Sequence, residues 1–440
     1  MKTQAVSKGL LAFLILAYST TASATSLIDL FDLAVENDPH LKIAQANKSA
    51  QIEAKPHALS KLLPNIAISA SAGKASHDIR DANPEIEREK QISNELNVSL
   101  VLTQPIFDLA AFREQKRADI EQTQAELHYR IAQQNLLFHV ANVYFTTLSY
   151  KDNLNFARSE RVSIANLLKV SEKKFEQGRA EAFDVLQTQA KHDMALAREI
   201  KLEKALVSQH DELMRVSGRS VGNLMSVTTS VPLIPPSPSN MEDWTNAATT
   251  QNLQIAAKKL ESELIMQELK ITRAERFPTL DFNASYGAND HGGAYPERSL
   301  DAIVSLDFNM ALFDGNRISI QLRKKQHELE RITHELEAKK REVLQKTRSA
   351  YLGILAGISY VKALNQAINS SEQALRSIKS GFEKGEKSAV DVLSVQQELF
   401  ENRQAFATSR YEYILSILRL KHSAGTLSID DLEQINTWLN

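Results

Sequence analysis

Hydrophobic and polar positions alternate with a period of two along four short stretches of the chain. Ile66, Ile68, Ala70 and Ala72 oppose Asn65, Ala67, Ser69 and Ser71. Leu96, Val98, Leu100 and Leu102 oppose Asn97, Ser99, Val101 and Thr103. In the second half Leu280, Phe282, Ala284 and Tyr286 oppose Asp281, Asn283 and Ser285, and Ala302, Val304, Leu306, Phe308 and Met310 oppose Asp301, Ile303, Ser305, Asp307 and Asn309. This alternation predicts strands over 65–73, 95–106, 279–287 and 299–312, each with one apolar and one polar face. Two other stretches lack any helix breaker of consequence. Leu109 to Gln177 runs for 69 residues without proline or glycine, and Asn316 to Ser380 runs for 65 with only Gly353 and Gly357 inside. Each predicts one uninterrupted helix, roughly 100 Å long at 1.5 Å per residue. Flanked by Lys346, Arg348 and Lys362, Gly353 and Gly357 suit close packing of soluble helices rather than a membrane dimer.

The elements recur. Phe175-Glu176-Gln177-Gly178, followed by Asp184-Val185-Leu186 and Gln189, returns 207 positions later as Phe382-Glu383-Lys384-Gly385, Asp391-Val392-Leu393 and Gln396. The implied organisation is an internal two-fold repeat. The first unit is 25–221, with long helix 109–177 and returning helix 179–217; the second is 241–427, with long helix 316–380 and returning helix 386–424. Between them, Gly218 to Asn240 carries Pro232, Pro235, Pro236 and Pro238, a linker composition placed at 222–240. A helix is expected in 428–440. Seven-residue stripes on the last long segment (Leu393, Phe400, Ala407, Ile414 and Leu399, Phe406, Tyr413, Leu420) predict antiparallel coiled-coil packing.

The strand lengths match what a tilted strand needs to cross a bilayer, about 9–11 residues. The polar faces hold small and acidic residues suited to a wet lumen, with Asp281, Asp301 and Asp307 as lumen candidates. Phe107, Phe277 and Phe313 fall where strands meet helices, as an aromatic girdle would. Lipid-exposed sheets must close, and four strands are too few, because the smallest such barrels have about eight. Several copies must therefore pool their strands.

Composition narrows this further. Lys2 and Lys8, the apolar run Gly9 to Tyr18 and Ala22-Ser23-Ala24 read as a signal peptide over 1–24. Its removal takes the net charge from −2 to −4. With 52 basic against 54 acidic residues there is no field for nucleic acid. The absence of cysteine excludes a disulfide framework. No HExxH, phosphate-binding loop or GxSxG elbow appears, so no catalytic, cofactor or metal site is expected.

Several stretches together resemble the TolC-type outer-membrane channel, the outer membrane factor or outer membrane efflux protein family. They are Leu62-Leu63-Pro64, Leu102-Thr103-Gln104-Pro105-Ile106-Phe107-Asp108, Phe277-Pro278-Thr279-Leu280, the two Phe-x-x-Gly…Asp-Val-Leu turns, and Ala424-Gly425-Thr426-Leu427 followed by Asp431-Leu432. The resemblance implies a mostly α fold with a membrane β-barrel: a homotrimer whose 12-stranded barrel in a Gram-negative outer membrane continues into a long periplasmic α-helical barrel. It implies an exit duct for drugs or type I secreted proteins, docked to a periplasmic adaptor and an inner-membrane RND, ABC or MFS transporter. The helix-tip turns Gly178, Arg179, Gly385 and Glu386 would meet the adaptor.

The resemblance also implies a periplasmic gate. Its inner aspartate falls at Asp391, and a second acidic position is here Ser394, so three carboxylates replace six in a trimer. Its linkage falls at Asp184 with Phe382 and Lys387. Phe382 cannot donate a hydrogen bond and Lys387 cannot make a bidentate fork, which predicts a loosely held closed state. The competing reading is a soluble periplasmic coiled-coil adaptor, which would need the helices but not four alternating strands.

Overall fold

A computed structural model describes residues 24–79, 89–228, 231–292 and 297–440. The leader expected at 1–24 lies outside them apart from Ala24. Three short helices open the chain: α1 (Leu27–Asn37), α2 (Pro39–Ile52) and α3 (Ala54–Ser60). Strands β1 (Asn65–Ile79) and β2 (Glu89–Phe107) follow, then the long helix α4 (Leu109–Glu176) and its return α5 (Ala182–Ser217). Helices α6 (Met241–Gln251) and α7 (Leu253–Ala274) lead to β3 (Thr279–Gly292) and β4 (Glu297–Asn309). The chain ends with the long helix α8 (Arg317–Lys384), its return α9 (Ala389–Ala424) and α10 (Ile429–Asn436). Among the described residues no helix is long and apolar enough to cross a membrane.

The strands form one antiparallel sheet in the order β1-β2-β3-β4. Pairing Ile68 with Leu100, Leu100 with Tyr286 and Tyr286 with Ala302 puts the apolar sets of all four strands on one face. The strands outrun the expected spans 65–73 and 95–106: Lys74 pairs with Asn94 and Ile79 with Glu89. Once a ladder is formed, backbone hydrogen bonding continues without an apolar pattern to mark it. The opposite correction applies to 299–312. β4 ends at Asn309, whose partner Thr279 is the first residue of β3, so Met310 to Leu312 have nothing to pair with. The register shifts between Pro105 and Phe107, where Pro105 has no N–H to give the ladder.

Helix ends also differ from expectation. α8 runs through Gly381, past the expected 380, and stops at Gly385 (φ +82°). There the Glu386 N–H donates to the Gly381 carbonyl at 2.9 Å, the left-handed closure that glycine permits. α9 starts at Ala389 rather than 386 because Ser388 caps it. α5 starts at Ala182 rather than 179, since Arg179 still belongs to the turn and donates to Lys174 at 2.7 Å.

The largest core lies midway along the long helices. Leu27 and Leu30 of α1, Val140, Tyr144 and Phe145 of α4, Leu213 of α5, Ile414 and Leu418 of α9, and Leu432 of α10 are buried together. The residues read as a linker are tied into this core. The Tyr144 hydroxyl donates to the Met225 carbonyl at 2.9 Å, the Tyr413 hydroxyl accepts from the Ile234 N–H at 2.7 Å, and Ser226 and Asn440 exchange backbone bonds. Proline content signals an irregular path here, and tyrosines projecting from the helices fix that path against the core.

Candidate functional site

Two places bring the sequence-predicted residues together: the polar face of the sheet and the tips of the two helical hairpins.

On the polar face, Asp281 lies directly opposite Asp307, and Asp301 lies opposite Gly287. Asp307 accepts from Asn283 at 2.5 Å, and Asp301 accepts from Asn289 at 2.6 Å and from Ser299 at 3.0 Å. Thr103 donates to Asn283 at 2.8 Å, and the Ser69 and Ser99 hydroxyls are 2.7 Å apart. These bonds, most of them across strands, make a hydrophilic surface of acceptor character. The reverse face carries Ile66, Ile68, Val98, Leu100, Val304, Leu306 and Phe308, all exposed in the single chain. Phe107, Phe277 and Phe313 are exposed at the end where the helices begin. The outer edges, β1 and β4, have no strand partner among the described residues.

At the tips, Gly178 (φ +70°) and Gly385 turn α4 into α5 and α8 into α9, and Arg179 and Glu386 are exposed beside them. Asp391 is exposed at the third position of α9. Its carboxylate accepts from the Ser388 N–H at 2.9 Å, while its own N–H donates to the Ser388 hydroxyl at 3.2 Å. These bonds to Ser388, with the nearby Lys387 charge, hold the Asp391 carboxyl below the usual carboxylate range. Ser394 is exposed one turn on, on the same side. So Asp391, Ser394 and Lys387 come together.

Asp184 stands apart. It is half-buried in the first turn of α5, and within the described residues of one chain it forms no side-chain bond to Phe382 or Lys387. Phe382 is buried instead among Leu167, Leu375, Ile378, Ala389 and Val392. Its partner is a residue that the sequence reading missed. The Lys174 ammonium lies 3.5 Å from the centre of the Phe382 ring and donates to the Phe382 carbonyl at 2.8 Å. The only signal for it was a lysine pair, Lys173-Lys174, in the last turn of α4.

A strand sheet with one greasy and one hydrophilic face, carried on helices too polar for a bilayer, is the architecture of an outer-membrane channel subunit. The family model for the outer membrane efflux protein matches residues 30–219 and 244–426, and the chain belongs to that family. It is 28% identical over 435 residues to the outer membrane protein TolC of Salmonella enteritidis, covering 96% of this chain and 86% of the relative. It is 25% identical over 429 residues to the alkaline protease secretion protein AprF of Pseudomonas aeruginosa, covering 96% and 89%. Its fold matches the outer membrane protein VceC of Vibrio cholerae with a TM-score of 0.76 at 17% identity, over 91% of this chain and 96% of that one. The protein is therefore an outer-membrane exit duct with a large periplasmic part, and not an enzyme.

Proposed function

We propose that three copies of this chain pool their sheets into a 12-stranded barrel, with the long helices forming an α-helical barrel beneath it. The observation that carries this is the pair of free sheet edges flanking an exposed apolar face. In hydrocarbon an unpaired edge leaves backbone groups without partners, so β1 of one copy pairs with β4 of the next and the apolar face turns to lipid. Asp281, Asp301 and Asp307 then line the water-filled interior. The 68- and 36-residue helices in each half support two structural repeats, 25–221 and 241–427, joined through 222–240, with 428–440 completing the equatorial belt.

At the periplasmic end Asp391 and Ser394 line the constriction, three carboxylates forming a ring that favours cations. Asp184 and Lys387 reach between neighbouring copies to hold it closed. The tips around Gly178, Arg179, Gly385 and Glu386 receive a periplasmic adaptor, through which an RND, ABC or MFS transporter of the inner membrane delivers drugs or type I secreted proteins. A strain lacking this chain tests the reading. It accumulates a fluorescent dye or retains a secreted protein, and the wild-type gene reverses this. A null strain that exports both normally contradicts it.

A further inference from the structure

The face of α4 that meets the second hairpin can be followed residue by residue toward the tip. Ile164 packs with Leu393 of α9. Leu167 packs both there and in the cluster around Phe382, Ala389 and Val392. The next positions on this face, at the three–four spacing of a helical seam, are Ser171 and Lys174. Ser171 is buried with its hydroxyl unpaired. Below Leu167, then, this face of α4 carries no further buried apolar side chain among the described residues. The contact this face makes there is Lys174 on Phe382.

That contact is specific on three counts. The ammonium faces the negative face of the Phe382 ring. It donates to the Phe382 carbonyl, one of the carbonyls at the C-terminal end of α8 that lack a full helical partner. It also places a positive charge at the negative end of that helix. The ring in turn packs on Ala389 and Val392, the residues either side of the first turn of α9 that carries Asp391. Lys174 corresponds, 207 positions on, to Gly381, so the second hairpin has no lysine to return the contact.

We propose that Lys174 is the positioning residue that latches the second hairpin onto the first within each copy, and so sets where Asp391 stands in the closed channel. This rests on the channel reading above. Opening the tip requires Lys174 to leave Phe382, and the latch works without Asp184. A neutral side chain of similar length at 174 releases the tip, whereas arginine, which also stacks on rings and donates to carbonyls, keeps it.

The test is single-channel conductance of the purified full-length protein in planar bilayers. Lys174→Met is expected to raise mean conductance by about threefold or more, since each copy loses its latch. Lys174→Arg and Lys173→Met, the latter an equal charge loss one residue away on an exposed side chain, stay at the wild-type value. Because the chain has no cysteine, Lys174→Cys offers a second reading on assembled channels. A methanethiosulfonate reagent that attaches an aminoethyl group restores the ammonium and returns conductance to the wild-type value, and one that attaches a methyl group leaves it high. Wild-type conductance in Lys174→Met, or equal effects of the two reagents, overturns the latch. Asp391→Asn run in parallel separates the two readings. If it lowers cation preference while Lys174→Met does nothing, the latch alone fails; if the wild type forms no pore, the channel reading fails.

Discussion

The two helical hairpins are matched in length, 68 residues out and 36 back in each, and both turn through a glycine at positive φ, yet their tips are built differently. Phe175 in the first tip is 47% exposed, while its counterpart Phe382 in the second is 8% exposed and sits under Lys174. Glu181, just before α5, gives it no side-chain cap, whereas α9 is capped by the reciprocal Ser388–Asp391 pair. In the shafts the balance reverses. α4 and α5 are laced by Arg198–Glu160 at 2.8 Å and Arg161–Glu199 at 2.6 Å, with Glu160 buried. Between α8 and α9 the ion pair is the more exposed Arg403–Glu372 at 2.6 Å. The difference shows that one hairpin plan can be stabilised in two places. The first hairpin is stiffened along its shaft and leaves apolar side chains such as Phe183 and Leu186 open at its tip. The second is pinned at its tip by Lys174 on Phe382, beside the exposed Asp391 that the proposed ring would use.

The largest expected contrast is between the paired phenylalanines. Phe382→Ala removes a buried ring and should cost about 3–4 kcal/mol per chain, seen as a lower urea midpoint for the helical signal of detergent-solubilised protein. Phe175→Ala should cost less than about 0.5 kcal/mol. Equal losses would erase the distinction between the tips.

Next is the shaft of the first hairpin. Arg198→Met strands the Glu160 carboxylate, at a cost of about 2–3 kcal/mol at neutral pH. Burial already raises the Glu160 carboxyl, and Arg198 opposes that rise. With the guanidinium gone, the folded state prefers the protonated acid more strongly than the unfolded chain does. The penalty therefore applies above the ordinary carboxylate range and fades as pH falls through the raised folded value. Urea midpoints of the variant should approach those of wild type on going from pH 8 to pH 5. A deficit that is constant with pH would mean that Glu160 is not the source.

Gly178→Ala and Gly385→Ala should behave alike. A Cβ meets open space at both, so the cost is the left-handed backbone alone, about 1–2 kcal/mol. The smallest effect separates the tips again. Ser388→Ala removes a cap worth about 1 kcal/mol, and Glu181→Ala removes none. The Ser388 bonds lower the Asp391 carboxyl, so they stabilise the folded chain above the ordinary carboxylate range and are lost as pH falls below it. Ser388→Ala keeps the backbone N–H bond, so its deficit in midpoint should narrow only in part, and only as pH falls below about 4 and on through the lowered folded value of Asp391.

Much of the architecture was visible beforehand, for reasons that can be named. A period of two survives any tertiary context that leaves one face greasy, so Ile66 to Ala72 and Leu96 to Leu102 showed themselves as strands. Long runs free of proline and glycine can hardly be anything but helix. The stripes at Leu393, Phe400, Ala407 and Ile414 are all buried, as heptad spacing requires. Strand ends were not visible, because Lys74 to Ile79 pair through backbone atoms that carry no compositional mark. Nor was the fixing of the proline-rich segment: Pro235 and Pro236 look like a linker until the Tyr351 and Tyr413 hydroxyls are seen to hold it. At the tip, residues three apart on a helix do lie on one side, and Asp391 and Ser394 were singled out through the family resemblance. Lys174 was not, since its partner lies 208 residues away and nothing local to it announces an aromatic ring.

In the proposed assembly one chain is a third of a closed barrel. The direct measurement is the subunit count of particles extracted in detergent from outer membranes, imaged at a resolution that separates strands. Three chains around one 12-stranded wall, with β1 of each copy hydrogen-bonded to β4 of its neighbour, is the predicted result. Single chains with those edges unpaired, or material that fractionates with soluble periplasmic proteins, would contradict it.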